Sequence, residues 1–145
     1  MSAADSDSAE LSATHQRALI LVVERNPLVQ HLERYFLEQA GYTVEFAGDG
    51  MSALERAREL RPRIVVTEIM VPALDGLSLC RMLKSEPRTA HARVLIFSHL
   101  HAEDRAREVG ADAFLLKPIS EQMLIGTVER LIDSHDETRR ATPDE

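Results

Sequence analysis

Residues 64–76 read IVVTEIMVPALDG, and they carry the clearest signal for the architecture of this chain. The first four, Ile64–Thr67, are β-branched and nearly all apolar, which is typical of a short strand buried on both faces of a parallel sheet. Glu68 stands at the carboxyl end of that strand, and Pro72 indicates a loop. A helix is predicted over Gly76–Ser85. The segment therefore predicts a strand, a loop and a helix in succession.

Four similar apolar runs are present, two before this strand and two after it. Stretches with helical periodicity separate them. The four runs are predicted as strands at Leu19–Val23, Thr43–Ala47, Val94–Phe97 and Ala113–Leu116. The run at Thr43–Ala47 alternates and indicates an edge strand, whereas the others are nearly continuous. Right-handed crossovers between parallel strands leave helices on both faces of a sheet. The predicted fold class is therefore α/β, with a five-stranded, doubly wound parallel sheet in a three-layer α/β/α sandwich.

Caps and breakers predict where the other helices begin and end. The first follows Asn26-Pro27 and ends at Gly41, with four apolar residues predicted to face the core. Those four are Leu28, Leu32, Phe36 and Ala40. The remaining helices are predicted from about Gly50 to Pro62 with Leu54, Ala57 and Leu60 inward, from about Ala102 to Val109 before Gly110, and over Glu121–Asp133 behind a Ser120 cap.

Length and composition predict one folded domain with a polar segment at each end. The 145 residues include 44% hydrophobic side chains, enough for a core that needs neither a metal nor a disulfide. Residues 1–18 are rich in small and acidic side chains and are predicted to be a disordered N-terminal tail. The domain is predicted over residues 19–134. Residues 135–145 are predicted to be a polar C-terminal tail or a linker.

Charge and cysteine content exclude several classes of function. Seventeen basic and 24 acidic residues give a net charge of −7, and the pI near 5.4 argues against nucleic-acid binding. Cys80 is the single cysteine, which excludes an internal disulfide and a multi-cysteine zinc site. The longest apolar run, Ala18–Val23, is too short to span a bilayer. We therefore expect a cytoplasmic protein with neither a nucleic-acid nor a membrane partner.

Polar side chains follow the predicted buried strands where each strand ends. Glu24 and Arg25 follow the first, Glu68 the third and Lys117 the fifth, and Ser98 closes the fourth. Ligands of open parallel sheets bind beyond the carboxyl ends of the strands. The sequence therefore predicts a site in which two carboxylates, a hydroxyl and two cations converge.

Three motifs in this order resemble the receiver domains of bacterial response regulators, the CheY-like family, over residues 19–133. They are ILVV at 20–23 before the acidic turn, IMVP at 69–72 with DG at 75–76, and GADAFLLKP at 110–118. The resemblance implies a flavodoxin-like sheet with strand order 2-1-3-4-5. It also implies a non-enzymatic switch in which an acidic pair and an aspartate hold Mg²⁺, and the aspartate accepts a phosphoryl group.

Several residues match the roles that this resemblance implies. Ser98 and Lys117 stand at the phosphate-contact positions, and Phe114 at that of an aromatic that changes rotamer. Pro118 resembles the cis-proline that orients the lysine, and an X-Pro step is where a cis bond is plausible. His99 stands where relatives have a small residue that keeps the approach to the phosphate open.

The acidic positions depart from the family pattern. Glu68 replaces the phospho-accepting aspartate, and the acidic pair reads Glu24-Arg25, with arginine at the direct metal-ligand position. Two carboxylates and the two cations Arg25 and Lys117 give a pocket of zero charge. A guanidinium repels a metal cation by up to about 4 kcal/mol per unit charge at 4 Å and an effective dielectric near 20.

We therefore expect that Mg²⁺ binding is lost, that no cofactor is needed and that the protein is a pseudo-receiver. Such a module is not phosphorylated and acts by protein contact in one locked state. Glu68 could mimic part of the charge of a phosphorylated aspartate. Equally, Arg25 could clamp Glu68 in a bidentate pair.

The output side of the chain also departs from its relatives. The stretch from Ser98 to Gly110 is about three residues shorter, close to one helical turn. The family binds partners or dimerises through the fourth helix, fifth strand and fifth helix, so residues 102–133 are the expected face for a protein partner or a homodimer.

Two other functions stay open at this point. One is a response regulator that is still phosphorylated with Mg²⁺. The other is a small nucleotide- or flavin-binding domain, which is disfavoured because the Glu24–Pro27 turn has no glycine for a phosphate to approach. A transition-metal site at His99 and His101 is disfavoured because a third ligand is lacking.

Overall fold

Strands and helices alternate throughout residues 18–141, the part of the chain that the computed structural model describes; for residues 138–141 only the backbone is described. The strands are β1 (Leu19–Val23), β2 (Thr43–Ala47), β3 (Ile64–Thr67), β4 (Arg93–Ser98) and β5 (Ala113–Leu116). The helices are α1 (Pro27–Gln39), α2 (Gly50–Leu60), α3 (Gly76–Ser85), α4 (Glu103–Glu108) and α5 (Glu121–Ala141). All five predicted strands are present, and β4 is one residue longer at each end than predicted.

The five strands form one parallel sheet in the order β2-β1-β3-β4-β5, as predicted. Their register aligns the last residues of neighbouring strands: Val23 pairs with both Ala47 and Thr67, and Ser98 pairs with Leu116. Side chains that follow these strands therefore arrive at one edge of the sheet, which is where the site was expected.

Both faces of the sheet are covered by apolar clusters. On one face α2, α3 and α4 pack over alternate strand residues, with Leu54, Leu79 and Leu83 buried. On the other face α1 and α5 pack, with Leu37, Leu124 and Ile132 buried. Each fully buried side chain of this size contributes about 1.5 to 3 kcal/mol of transfer free energy. The two layers of helices hold the sheet rigid from both sides.

The predicted inward face of α1 is correct for Phe36 and Ala40, which pack against the core, and wrong for Leu28. Leu28 is 67% exposed, and the buried residues of the helix are Glu33 and Leu37. Val29 packs against the core instead, at the same helical spacing as those two, while Phe36 stays partly buried beside them. The sequence pattern misled because a carboxyl group occupies the centre of the buried stripe.

The predicted end of α5 is also wrong, since the helix continues beyond Asp133 to Ala141. The predicted tail or linker over 135–145 is therefore helical as far as residue 141. Arg63 forms an ion pair with Asp136, the Arg93 side chain donates to the carbonyl of Ser134 (3.2 Å), and His135 is buried. These polar contacts stabilise the extra turns of the helix. The polar sequence after residue 134 gave no apolar pattern from which they could be predicted.

Three further expectations concern α4 and the two ends of the chain. Helix α4 has six residues, two fewer than the predicted 102–109, and Gly110 follows it with a φ of 92°. The predicted N-terminal tail lies outside the described residues except for Ala18, which is buried. Within residues 18–141, none of the helices is long and apolar enough to cross a membrane.

Candidate functional site

A pocket of about 390 Å³ opens at the carboxyl edge of the sheet. Its walls come from the loops that follow β1, β3, β4 and β5, as the register of the strands requires. The lining residues are Glu24, Arg25, Asn26, Val29, Glu68, Met70, His99 and Lys117. The predicted site residues Glu24, Glu68, Ser98 and Lys117 form one contact network here.

Lys117 connects the two carboxylates at the centre of this network. Its Nζ atom lies 2.6 Å from Oε1 of Glu24 and 3.0 Å from Oε2 of Glu68. The lysine side chain is 13% exposed and each glutamate side chain 3%. Burial alone lowers the pKa of Lys117, but the hydrogen bonds to both carboxylates more than offset it and raise that pKa above its usual value.

Glu68 is held by groups from three other segments as well. Ser98 Oγ donates to Glu68 Oε1 at 2.5 Å, and the backbone N–H of Met70 donates to the same atom at 3.4 Å. The chain passes very close to Glu68 at Gly76, where a Cβ would lie 2.2 Å from the Glu68 carbonyl oxygen. Only glycine fits there without a backbone shift, so Gly76 fixes the position from which Glu68 reaches into the pocket.

Glu24 is positioned by the end of β1 and the start of α1. Its backbone N–H donates to the carbonyl of Ala47 (3.2 Å), which continues the β1–β2 ladder by one residue. Its Oε2 accepts from the backbone N–H of Asn26 at 3.0 Å, and the Gln30 side chain donates to its carbonyl. Asn26 in turn caps α1 through Leu28 N at 2.9 Å. The turn is therefore rigid on both sides.

The structure does not support the expected clamp between Arg25 and Glu68. Arg25 lines the pocket but is exposed, and within the described residues its guanidinium has no carboxylate at ion-pair distance. Lys117 occupies the place beside Glu68 that the clamp would have needed. Arg25 therefore contributes a positive charge at the pocket mouth and leaves the packing of Glu68 unaffected.

The other residues singled out from the sequence lie around this centre. His99 is 63% exposed, with Nδ1 at 3.7 Å from Glu68 Oε1, so it covers the approach to the carboxylate from solvent. The Lys117–Pro118 peptide bond is cis, and the Lys117 N–H donates to the carbonyl of Ser98 at 2.8 Å. Phe114 is partly buried and packs against the cluster under α2, α3 and α4.

The donor set of the pocket does not fit a magnesium ion. The carboxylates of Glu24 and Glu68 both face the Lys117 ammonium, and Arg25 adds a second cation at the mouth. Mg²⁺ needs near-octahedral oxygen ligation and commonly uses carboxylates. Among residues 18–141 there is no group of three or more His, Cys, Asp or Glu side chains placed to hold a metal ion. The two carboxylates contact the Lys117 ammonium instead.

One buried carboxyl group beside the site, Glu33, was not predicted from the sequence. Glu33 on α1 is 1% exposed, and its Oε1 has no hydrogen-bond partner among the described residues. Burial raises the pKa of Glu33 to about 8, the nearby charge of Glu24 adds to the rise, and Lys117 opposes it. Burial of Glu33 could have been predicted from its place between Val29 and Leu37, four residues from each. The predicted inward face of the helix did not include these positions.

The sequence model of the response regulator receiver domain family matches residues 20–129 of this chain. The polar-differentiation response regulator DivK of Brucella anthropi is 33% identical over 113 residues, which cover 76% of this chain and 92% of that protein. The DNA-binding dual master transcriptional regulator RpaA of Synechocystis is 31% identical over 125 residues, 84% of this chain and 52% of RpaA. This chain therefore spans nearly all of DivK but about half of RpaA.

A solved structure is similar over most of the described residues. The signal receiver domain of a histidine kinase from Syntrophus aciditrophicus is 31% identical with a TM-score of 0.76, and the match covers 81% of this chain and 91% of that one. The parallel sheet and its flanking helices are thus shared with a receiver of known structure.

Proposed function

Because this chain belongs to the response regulator receiver domain family, we propose that it is a pseudo-receiver of a two-component system. In this proposal it is a non-enzymatic, cytoplasmic signalling module that is not phosphorylated and acts by contact with another protein. The observation that carries the proposal is the Glu68 carboxylate, which already binds both Ser98 and Lys117.

These two contacts are the ones that the family resemblance assigns to the phosphoryl group. Glu68 is one methylene longer than aspartate, and its Oε1 accepts from Ser98 Oγ at 2.5 Å while its Oε2 lies 3.0 Å from Lys117 Nζ. A phosphoryl group on this side chain would have to displace both contacts. The pocket is therefore occupied by its own carboxylate, and the serine and lysine are already drawn toward it.

This arrangement supports a locked state that resembles the phosphorylated form. A carboxylate carries one negative charge, whereas a phosphoryl group carries about 1.5 to 2 near pH 7, so the mimicry is partial. Phe114, at the position of the switch aromatic, is partly buried and packs against the core cluster.

The output surface in this proposal is the face over residues 102–133, formed by α4, β5 and α5. Two large apolar side chains on it are exposed, Leu116 at 41% and Met123 at 58%. Exposed apolar groups of this size are typical of protein contact surfaces when they share one face. A protein partner or a second copy of this chain would bind here.

Phosphorylation can be tested with a small phosphodonor. The purified chain is incubated with acetyl phosphate and Mg²⁺, and its intact mass is measured beside that of a typical receiver as positive control. We expect no gain of a phosphoryl group. A gain that disappears in Glu68→Ala would overturn the proposal, because it would make Glu68 an acceptor.

The charge argument can be tested by restoring the family residues. The double variant Arg25→Asp, Glu68→Asp carries two more acidic oxygens at the metal position and lacks the cation at the mouth. We expect it to bind Mg²⁺ in calorimetry, whereas the natural chain gives no binding heat. A matched single variant, Glu68→Asp, keeps Arg25 and should not bind. Absence of binding in the double variant would contradict the charge argument.

A further inference from the structure

A second pocket, of about 300 Å³, lies at the opposite edge of the sheet. We call it the basal pocket and define it by Arg61, Arg63, His91 and His135. Arg61 and Arg63 precede β3, and His91 precedes β4, so three of the four residues stand at the amino-terminal ends of strands. His135 comes from the part of α5 that continues beyond the predicted end. No residue of the first pocket contributes to it.

All four residues of the basal pocket carry basic side chains. Arg63 is held in place by its ion pair with Asp136 on α5. Arg61 and His91 are exposed and form no ion pair with a described residue. His135 is buried and forms one wall, with its ring centroid 6.0 Å from that of His91. Two arginines and two histidines thus line the pocket, and one of the arginines is paired with Asp136.

The backbone at Arg61 adds a second observation. Arg61 caps α2 in the left-handed conformation, with φ 48° and ψ 58°, where glycine is favoured and a side chain is strained. The arginine side chain is exposed, so packing in the core does not explain its presence. At this position Arg61 lines the basal pocket.

We propose that the basal pocket binds a phosphate-bearing anion, either inorganic phosphate or the phosphate of a small monoester. Two guanidiniums match phosphate oxygens through paired N–H donors, and an imidazole supplies a further donor. The volume reaches the lower limit of small-molecule pockets, which leaves room for more than a bare phosphate ion. The inference is independent of the proposed function, since it uses neither Glu68 nor Lys117.

The test is a titration of the ¹⁵N-labelled full chain followed by NMR, with sodium phosphate and, separately, adenosine 5′-monophosphate. Sodium chloride keeps the ionic strength constant. We expect saturable shifts of the amides of Arg61, Arg63, His91 and His135. Saturation at a lower concentration of the nucleotide identifies an ester as the better ligand, and the reverse identifies the free ion; either supports the phosphate site.

Two variants make the test specific. Arg61→Gly keeps the fold because its positive φ suits glycine, and it should weaken binding by about tenfold or more through loss of one charge-assisted contact. Arg105→Ala removes an exposed arginine on α4 and should leave binding unchanged. The proposal is wrong if sodium chloride alone produces the same shifts, if Arg61→Gly binds as well as the natural chain, or if the shifts centre on Arg25 and Lys117.

Discussion

Glu68 and Glu33 are both buried carboxyl groups, with 3% and 1% of their surface exposed, yet they differ in the groups that contact them. Glu68 lies in the pocket at the carboxyl edge of the sheet, where Ser98 donates to it and Lys117 balances its charge. Glu33 lies in the apolar layer under α1, and its Oε1 has no hydrogen-bond partner among the described residues.

The comparison separates two influences on the protonation of a carboxyl group, namely its burial and the hydrogen-bond donors around it. Burial of an ionised carboxylate without a partner costs several kcal/mol, so an isolated group takes up a proton instead. Glu33 does so, since its pKa rises to about 8. Glu24 and Glu68 instead share the ammonium of Lys117, which lies at 2.6 and 3.0 Å from their carboxylates. Two parts of one domain thus bury the same chemical group in two ways.

Removal of Lys117 should have the largest effect on stability, because it leaves Glu68, like Glu33, buried without a cation. The variant Lys117→Met leaves two buried carboxylates without their cation and should lower the free energy of unfolding by about 3 to 5 kcal/mol. Urea denaturation followed by circular dichroism measures this loss. If Lys117→Met does not fold, Lys117→Met with Glu24→Gln, which removes one of the two stranded charges, should recover part of the stability.

A second ion pair that contains a lysine provides the control for this prediction. Lys84 lies 2.7 Å from Asp112, but these side chains are 21% and 23% exposed. Lys84 also donates to the carbonyl of Ala92 (2.9 Å). Lys84→Met leaves one part-exposed carboxylate without its cation, not two buried ones, and should therefore cost less, about 1 to 2 kcal/mol. Equal losses in Lys84→Met and Lys117→Met would contradict the view that the pocket depends on its buried cation.

Replacement of Glu33 should increase the stability of the protein, whereas replacement of Lys117 should decrease it. Folded chains keep the Glu33 proton up to about pH 8, whereas unfolded chains release it near the ordinary value of 4.5. Stability therefore falls as the pH rises between these values and levels off above pH 8. Glu33→Gln resembles the protonated form at every pH and should raise the free energy of unfolding by about 3 kcal/mol at pH 7, and by less at pH 5.

The control for Glu33 lies on the same helix. Glu38 is about half exposed, and within the described part of the chain its carboxylate pairs with Arg34 alone, at 3.5 Å. Glu38→Gln should change stability by no more than about 0.5 kcal/mol and should show no added pH dependence. Parallel pH profiles for the natural chain and Glu33→Gln would mean that Glu33 is ionised in the folded protein at neutral pH.

Glu33 also marks the limit of what the sequence could predict. The strands and the convergence of Glu24, Glu68, Ser98 and Lys117 were predictable, because strand ends follow from apolar runs and parallel register brings them together. The inward face of α1 was predictable only in part, since Phe36 and Ala40 do pack against the core but Leu28 is exposed and Glu33 is buried. The buried face contains a charged residue, which the hydrophobic pattern counts against it.

Long-range polar contacts account for the other differences. The extra turns of α5 depend on Arg63 and Arg93, which lie 73 and 41 residues from their partners Asp136 and Ser134. Arg25 and Lys117 were both expected to stand near Glu68, and only the lysine reaches it. A sequence identifies which charges share an edge of the sheet, but side-chain geometry determines which of them pair.

Loss of the hydroxyl donor should have a smaller effect than either charge change. Ser98→Ala removes the 2.5 Å hydrogen bond to Glu68 but leaves Lys117 in place, so stability should fall by about 1.5 to 3 kcal/mol. Ser85→Ala is the matched control, because the Ser85 hydroxyl is exposed and donates only to the carbonyl of Met82 (2.9 Å). Equal stability of Ser98→Ala and the natural chain would show that Lys117 alone holds Glu68.

The smallest effect is expected at Arg25, and that prediction tests how the pocket is divided between packing and charge. The guanidinium is exposed and forms no ion pair with a carboxylate of the described chain, so Arg25→Ala should change the free energy of unfolding by no more than about 0.5 kcal/mol. The same substitution removes a cation from the pocket mouth, so any affinity for Mg²⁺ should rise even though stability does not change. Urea denaturation and calorimetry on one preparation measure both quantities. A loss of more than about 1 kcal/mol would mean that Arg25 pairs with Glu68 in solution, because a charge-assisted hydrogen bond is worth at least that much.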